Sequence, residues 1–517
     1  MHWIPYGKLG PTNGSASPRR MTSRTTGSTV GRLLAAPYLA LAAILLAATA
    51  LRIFPLTYSH FWDEAVFLQH AKVMLDGRSN YDEFFHRPPL LSVLYATGFL
   101  IVDSIYVANI VQGVVTSLAV VFAFLYMRRL FGVTAALFAA ALFAFMPYLA
   151  HTSHDLLTDG PALTLMLCAM WLYDKPGVRF AVLAGVAYSL AIQTRYTSLF
   201  LGLYFLLDTV VAPQKARNFL AWGVAAAAAL APYLLWNQFA FGWFLHPFAI
   251  ARRIVTEWTA PMPASFYFDA LAQIFPITVW GLFAIGVFGA MAPRIAAAVG
   301  SREPAPALAA DPRRRCLVLF TWGVAFFAYM LLTPHKEVRY LLPLAIPVLV
   351  IAATGAHVLI DSIARLLKIG RATAAALVGV IIAIQFSPVL SPLRGPLIDR
   401  SKSNEVQIAE YLRDQSTASD TVYAAHNFPV YAFYSERKTV SLLPIQADFD
   451  EEWREVMSEP GLLVYTHPDR LGEIHSIDTS LKPDRAFIEA HPEFRRLREF
   501  PNVTVYRYTP GVQKKPL

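Results

Sequence analysis

Apolar residues run along this chain in blocks long enough to cross a bilayer. By the criterion of roughly 20 residues per membrane-spanning helix there are about eleven such blocks. They lie near 33–53, 105–127, 131–150, 156–173, 179–194, 197–211, 217–236, 270–292, 316–333, 338–360 and 372–392. Basic residues recur on alternate connecting loops. They are Arg19, Arg20, Arg24 and Arg32, then Arg128 and Arg129, then Lys175 and Arg179, then Lys215 and Arg217, then Arg313, Arg314 and Arg315, then Arg365, Lys368 and Arg371. All fall on one side if the first span leaves the cytoplasm, which is the positive-inside pattern. The opposite side then receives 54–104, 151–155, 193–196, 237–269, 335–340 and everything after about 393. No small-residue cleavage site follows the first span, so it reads as a retained anchor. The expectation is an α-helical polytopic protein of the plasma (inner) membrane with a cytoplasmic N-terminus.

The outer segment 54–104 is too long for a turn. Its residues 64–76 place apolar positions at helical spacing, which predicts an amphipathic helix lying along the membrane surface. A second apolar stretch, 89–102, follows Pro88-Pro89 and is either interfacial or joined to the next span. After residue 400 the pattern changes. Residues 404–414 read as a helix, and 421–425, 439–443, 462–466 and 503–507 as strands, which predicts a small extracytoplasmic α/β domain over 393–517. Residues 1–32, rich in Gly, Ser, Thr and Arg, read as a disordered cytoplasmic segment. The spans between, 33–392, form the membrane domain.

The chain of 517 residues is 56% hydrophobic and only 15% charged, against about 25% charge in soluble proteins. The net charge of +9 sits in short loops, so it marks topology and not a nucleic-acid partner. Cys168 and Cys316 are the only cysteines, which excludes a disulfide framework or a cysteine metal site.

Against this background the polar residues on the outer side stand out, because charge beside hydrocarbon is costly. Asp63-Glu64, in the stretch from Ser59 to Ala65 that includes His60, suits a general base whose pKa is raised by partial desolvation; it equally suits the first turn of a helix. In His86-Arg87-Pro88-Pro89 the prolines hold Arg87 extended, where its planar fork fits a phosphate; a snorkelling arginine at a helix entry reads the same way. The stretch His151-Thr-Ser-His154-Asp155-Leu-Leu-Thr-Asp159 puts Asp155 and Asp159 on one face if helical. It offers acids, or two histidines and two aspartates for a metal, or simply a capped hydrated loop. Arg195 lies between outward span ends, where a buried cation wants an anion; ordinary snorkelling reads the same way and is slightly favoured for a single residue. In Pro334-His335-Lys336-Glu337-Val338-Arg339-Tyr340, Lys336 and Arg339 suit a phosphate, with Glu337 orienting Arg339; a salt-bridged turn is the less satisfying alternative, because the loop breaks the positive-inside trend. Together, acids and cations on one face fit a reaction whose leaving group is a phosphate.

These motifs carry a resemblance. The acidic pair after the first span, Arg87-Pro88-Pro89, Leu156-Leu-Thr-Asp159 and the run from Arg339 to Pro343 resemble the GT-C fold glycosyltransferases of the protein O-mannosyltransferase superfamily (glycosyltransferase family 39-like). That group includes the bacterial aminoarabinose transferases of lipid A. The resemblance covers roughly 33–392. It implies a sugar donor linked to a polyprenyl phosphate, inversion at the anomeric carbon, and no metal or other cofactor. By the same resemblance Asp63 is the catalytic aspartate and Asp159 the second acid, with Glu64 beside them. Arg87, where the family usually has lysine, would contact the lipid phosphate with Arg195, Lys336, Arg339 and Tyr340. His60, His86, His154, Asp155, His335 and Glu337 are carried as supporting residues. The His335-Lys336-Glu337 run resembles the corresponding loop of dolichyl-phosphate-mannose-dependent enzymes acting on lipid-linked glycans, which favours mannose over another hexose or pentose. Membrane lipids are the other partner, and the acceptor, whether protein, lipid or glycan, is not read from the sequence. Two other classes stand beside this one. A transporter or lipid-linked sugar flippase would carry its charges near the midplane and show repeated halves, whereas these charges sit at span ends. A membrane-anchored binding protein would act through its outer α/β domain.

Overall fold

The structure, a computed structural model, describes residues 26–58, 62–76, 87–256, 262–298, 312–424, 426–442, 456–467 and 485–511. It is a helical membrane unit followed by a small sheet. The first helix, Thr26–Ile53, begins earlier than the predicted span; residues 1–25 of the segment read as disordered lie outside the described residues. The next, Ile105–Phe145, takes up two predicted spans. It breaks at Gly132, whose φ of 82° is open to glycine at little steric cost.

Among the described residues five helices are long and apolar enough to cross a membrane, or six when Phe266–Ile274 and Ile277–Ala290, bent by 95°, are taken as one span. The count of eleven is not reached on this measure. Several predicted spans are short helices: Asp159–Tyr173 has 15 residues, Val178–Thr194 has 17 and Leu201–Val211 has 11. At about 1.5 Å per residue the longest of these falls short of a hydrocarbon core of about 30 Å.

The most enclosed candidate span, Val338–Leu366, has 83% of its apolar window buried inside the protein. It packs tightly on Ile277–Ala298 because glycines face backbone at the crossing. A Cβ at Gly355 would lie 1.8 Å from the Leu282 carbonyl oxygen, and one at Gly286 would lie 2.2 Å from that of Ile351. This central element carries Arg339 at its start. At the C-terminal end of the first helix, Arg52 is 2% exposed. It donates to the carbonyls of Ala144 (2.9 Å) and Phe143 (2.6 Å). These are among the last carbonyls of Ile105–Phe145, so Arg52 acts as a cationic helix cap.

Beyond the membrane unit, strands β1 (Thr421–Ala424), β2 (Thr439–Ser441), β3 (Gly461–Thr466), β4 (Phe494–Phe500) and β5 (Val503–Tyr508) form one sheet in the order β2-β1-β3-β5-β4. β1 pairs in parallel with β2 and β3, and β5 antiparallel with β3 and β4. Helix Asn404–Gln415, capped by Ser403, and helix Phe428–Ser435 turn this unit toward the membrane domain.

They meet the helix Trp62–Asp76. Ala65 packs with Val406 and Val430, and Val66 shares a core with Ile408, Phe428 and Leu462. The opposite face, Phe67, Leu68 and Ala71, packs on Leu91, Tyr95 and Phe99 of helix Leu90–Phe99. The helix that the spacing predicts is thus covered on both faces. From Asp63 to Ala71 every residue is buried, because the sheet unit covers the face the sequence left polar or small. The connecting chain is tied down as well: Leu56 N donates to Leu397 O at 2.9 Å and Asp399 N to Leu56 O at 2.8 Å.

Candidate active site

Asp63 occupies the first turn of Trp62–Asp76. Its Oδ1 accepts a hydrogen bond from Arg87 Nη2 at 2.5 Å, and its Oδ2 accepts one from Arg339 Nη2 at 2.6 Å. The first arginine comes from the Pro-Pro entry to Leu90–Phe99 and stacks 5.6 Å from the Trp62 ring. The second comes from the start of the central helix. Burial pushes the Asp63 carboxyl up, but the Arg87 and Arg339 guanidiniums outweigh it and hold the group below the usual carboxylate value. This corrects the expected upward shift: the sequence showed the desolvation but not that two cations share one carboxylate.

Glu337 organises Arg339 from the other side. It accepts from Arg339 Nε, from Tyr340 Oη at 2.8 Å, and pairs with His335 Nε2 at 3.0 Å. Burial raises Glu337, yet the His335 hydrogen bond and the Arg339 charge carry it well below the carboxylate range. The third arginine, Arg195, lies 3.0 Å from Asp159 Oδ1, donates to Thr158 Oγ1 at 3.1 Å, and sits 5.3 Å from the Tyr340 ring. Asp159 and Arg195 pair as charges without hydrogen-bond alignment, so both Asp159 oxygens accept no hydrogen bond among the described residues.

Glu64 points elsewhere. Its Oε1 accepts from the backbone N–H of Leu156 at 3.3 Å, joining the Asp63 helix to the loop that carries Asp155 and Asp159. The same loop is gripped by Gln112, which donates to the carbonyls of Asp155 (3.1 Å) and Leu157 (2.8 Å) and accepts from Tyr95 Oη at 3.0 Å. Gln112 escaped the sequence reading; its signal was a fully buried amide in an apolar span, where a polar group must find partners. Asp155 is half-buried and raised above its usual value, chiefly by burial. His154 is pushed down to about 4, by burial and by His151. Among the described residues no group of three or more His, Cys, Asp or Glu could hold a metal ion, so 151–159 does not assemble one.

Lys336 turns away from this network. It is buried, donates to the Thr333 carbonyl and lies 5.7 Å from the Tyr267 ring. His335 is anchored through its backbone N–H to Val255 O at 3.2 Å. His60 and His86 lie outside the described residues. The structure thus joins Asp63, Arg87, Arg339, Glu337, His335 and Tyr340 by direct bonds. Asp159 and Arg195 adjoin them through the Tyr340 ring, and Glu64 and Asp155 lie one layer behind.

Two donors in this cluster are buried with no acceptor among the described residues, Arg87 Nε and Arg195 Nε. Leaving such a group unsatisfied costs about 1–3 kcal/mol, a cost that an incoming anion would remove. A cavity of about 470 Å³ is lined by Val73, Met74, Pro89, Gln193, Tyr233 and Trp236. Two of its lining residues, Pro89 and Gln193, lie two positions from Arg87 and Arg195 in the chain.

Residues 86–236 match the family described as dolichyl-phosphate-mannose-protein mannosyltransferase. No curated protein matches the chain. Among solved structures, ArnT from Cupriavidus metallidurans bound to undecaprenyl phosphate is similar at a TM-score of 0.61 and 14% identity, over 94% of this chain and 99% of that one. Its apo state aligns at 0.63 and 15%, over 93% and 98%. The archaeal oligosaccharyltransferase AglB from Archaeoglobus fulgidus, in complex with an inhibitory peptide and a dolichol-phosphate, aligns at 0.56 and 13%, over 93% of this chain and 75% of that one. The chain thus carries a segment that matches the protein mannosyltransferase family, within a multi-pass membrane fold of the GT-C type that it shares with these solved structures.

Proposed function

We propose that this protein moves a sugar, mannose or another hexose or pentose, from a polyprenyl-phosphate donor to an acceptor hydroxyl with inversion, on the extracytoplasmic side of the membrane. The observation that carries this reading is a carboxylate shared by two guanidiniums, in a cluster with two buried arginine donors that have no acceptor among the described residues. The lipid chain would fill the cavity. Arg87, Arg195 and Arg339 would hold the phosphate and stabilise the charge that grows on it. Asp63 would take the proton of the acceptor hydroxyl as general base. Asp159 would keep Arg195 in place. That similar folds are found with undecaprenyl phosphate and dolichol-phosphate supports a donor of this class.

The orientation rests on the positive-inside pattern of the loops. In the two-part organisation, 33–392 is the catalytic unit and 393–517 a cover that fixes the Asp63 helix. Lys336, bonded to a backbone carbonyl, is left out of the phosphate site. The test is incubation of purified protein with a panel of polyprenyl-phosphate sugars, followed by mass spectrometry. Release of lipid phosphate together with a glycosylated acceptor is the expected result. Translocation of intact donors across vesicles with no transfer product would overturn the reading in favour of a flippase.

A further inference from the structure

In this structure each guanidinium of the site faces a carboxylate: Arg87 and Arg339 share Asp63, and Arg195 faces Asp159. A phosphate arriving there therefore competes with existing pairs. Asp63 is the carboxylate whose two partners are both proposed phosphate ligands. Arg339 keeps a second hold on Glu337 through Nε, so its Nη2 edge can change partner without leaving the site. Arg87 has an Nε without an acceptor among the described residues, and its guanidinium carbon lies 5.6 Å from the Trp62 ring.

Resting on the function proposed above, we propose that Arg87 and Arg339 pass from Asp63 to the leaving phosphate during transfer, so that one pair of cations serves the base and the leaving group in turn. The charges balance. Before reaction Asp63 carries one negative charge and the donor phosphodiester another. A bond forms between the acceptor oxygen and the anomeric carbon while the bond from that carbon to the phosphate oxygen breaks. The electron pair stays on the phosphate, which becomes a monoester with a second charge. The acceptor proton moves to Asp63, which becomes neutral. Two negative charges face two guanidiniums at both ends of the step, and no new counter-charge is required. The other charged groups near Asp63 are Glu337, which stays on Arg339, and Asp159, which stays with Arg195. Burial of Asp63 acts in the same direction, because once its arginines turn to the phosphate the upward push of burial is no longer opposed. After transfer, loss of the proton from Asp63 draws the arginines back to the carboxylate and helps to expel the lipid phosphate.

The consequence is a competition that binding alone can read. Undecaprenyl phosphate is titrated onto purified protein in detergent and the bound fraction measured by native mass spectrometry, for wild type, Asp63→Asn, Arg87→Gln and Arg339→Gln. Asparagine keeps the shape of protonated aspartate and removes the competing charge. Asp63→Asn is expected to bind the lipid phosphate about tenfold more tightly than wild type, since a hydrogen bond to a charged group is no longer given up. Arg87→Gln and Arg339→Gln are expected to bind it more weakly. If the arginine variants weaken binding but Asp63→Asn binds no better than wild type, the exchange is wrong and the phosphate site stands. If both arginine variants bind like wild type, the phosphate is not held there, and the site reading falls with the exchange. Asp63→Ser gives the same reading should the asparagine variant not fold.

Discussion

Arg339→Gln tests how much of the site hangs on one side chain. Arg339 is half-buried and ends in two carboxylates, Asp63 Oδ2 at 2.6 Å and Glu337 through Nε. Removing one partner of a buried pair costs about 3–5 kcal/mol when the remaining charge is left alone. Here the loss is partial, because Asp63 keeps Arg87 and Glu337 keeps His335 and Tyr340. About 2–3 kcal/mol of stability is therefore expected to go, below that range. The effect on transfer is larger, since a lost donor to a developing oxyanion typically costs about 10²–10³ in rate. Arg339→Lys separates the two effects. A point charge on a flexible stem cannot serve Asp63 and Glu337 in one plane, so lysine is expected to recover most of the stability and little of the rate. Thermal unfolding in detergent and initial rates of lipid-phosphate release, on the same preparations, supply both numbers. An Arg339→Gln protein whose rate stays within a few-fold of wild type would refute the reasoning, whatever its stability.

Three further outcomes follow from the surroundings of the site. Glu64→Ala orphans the Leu156 N–H, with a loss of about 1–3 kcal/mol in thermal unfolding, whereas Glu64→Gln keeps an acceptor oxygen and is expected to be mild; equal effects would contradict the positioning role. His154, ordinarily near 6.5 and held at about 4 in the fold, is protonated first in the unfolded chain as pH falls. Stability is therefore expected to decline from about pH 6.5 toward 4 through this group, and melting curves of His154→Gln are expected to show a flatter decline over that window. Gly355→Val puts carbon against the Leu282 carbonyl oxygen and is expected to cost 1–3 kcal/mol or more by about the usual scale of overpacking, read as a lower unfolding temperature.

The convergence of Asp63, Arg87, Asp159, Arg195 and Arg339 was legible because loop charge assigned their segments to one face, and residues on that face have few places to go. Four of the five strands were legible too. β4 was not: Phe494-Arg-Arg-Leu-Arg-Glu-Phe500 is an edge strand with most side chains exposed, so its charges hid the alternation. Side-chain direction within a short turn was equally hidden. In 335–340 nothing in the order of residues says that Lys336 faces Tyr267 while Arg339 faces Asp63; the packing of the central helix decides it. The two-sided burial of Trp62–Asp76 and the downward shift of Asp63 share one cause. Both depend on partners hundreds of residues away, Phe428 and Val430 for the burial and Arg339 for the charge, which local pattern cannot report.

The central claim is that Asp63 is the base for sugar transfer from a lipid phosphate. Its most direct test is turnover by purified Asp63→Asn with whichever polyprenyl-phosphate sugar the wild type uses, monitored by released lipid phosphate and by thermal unfolding of the same sample. The account predicts a folded protein with no measurable transfer. Near-normal turnover by the folded variant would contradict it.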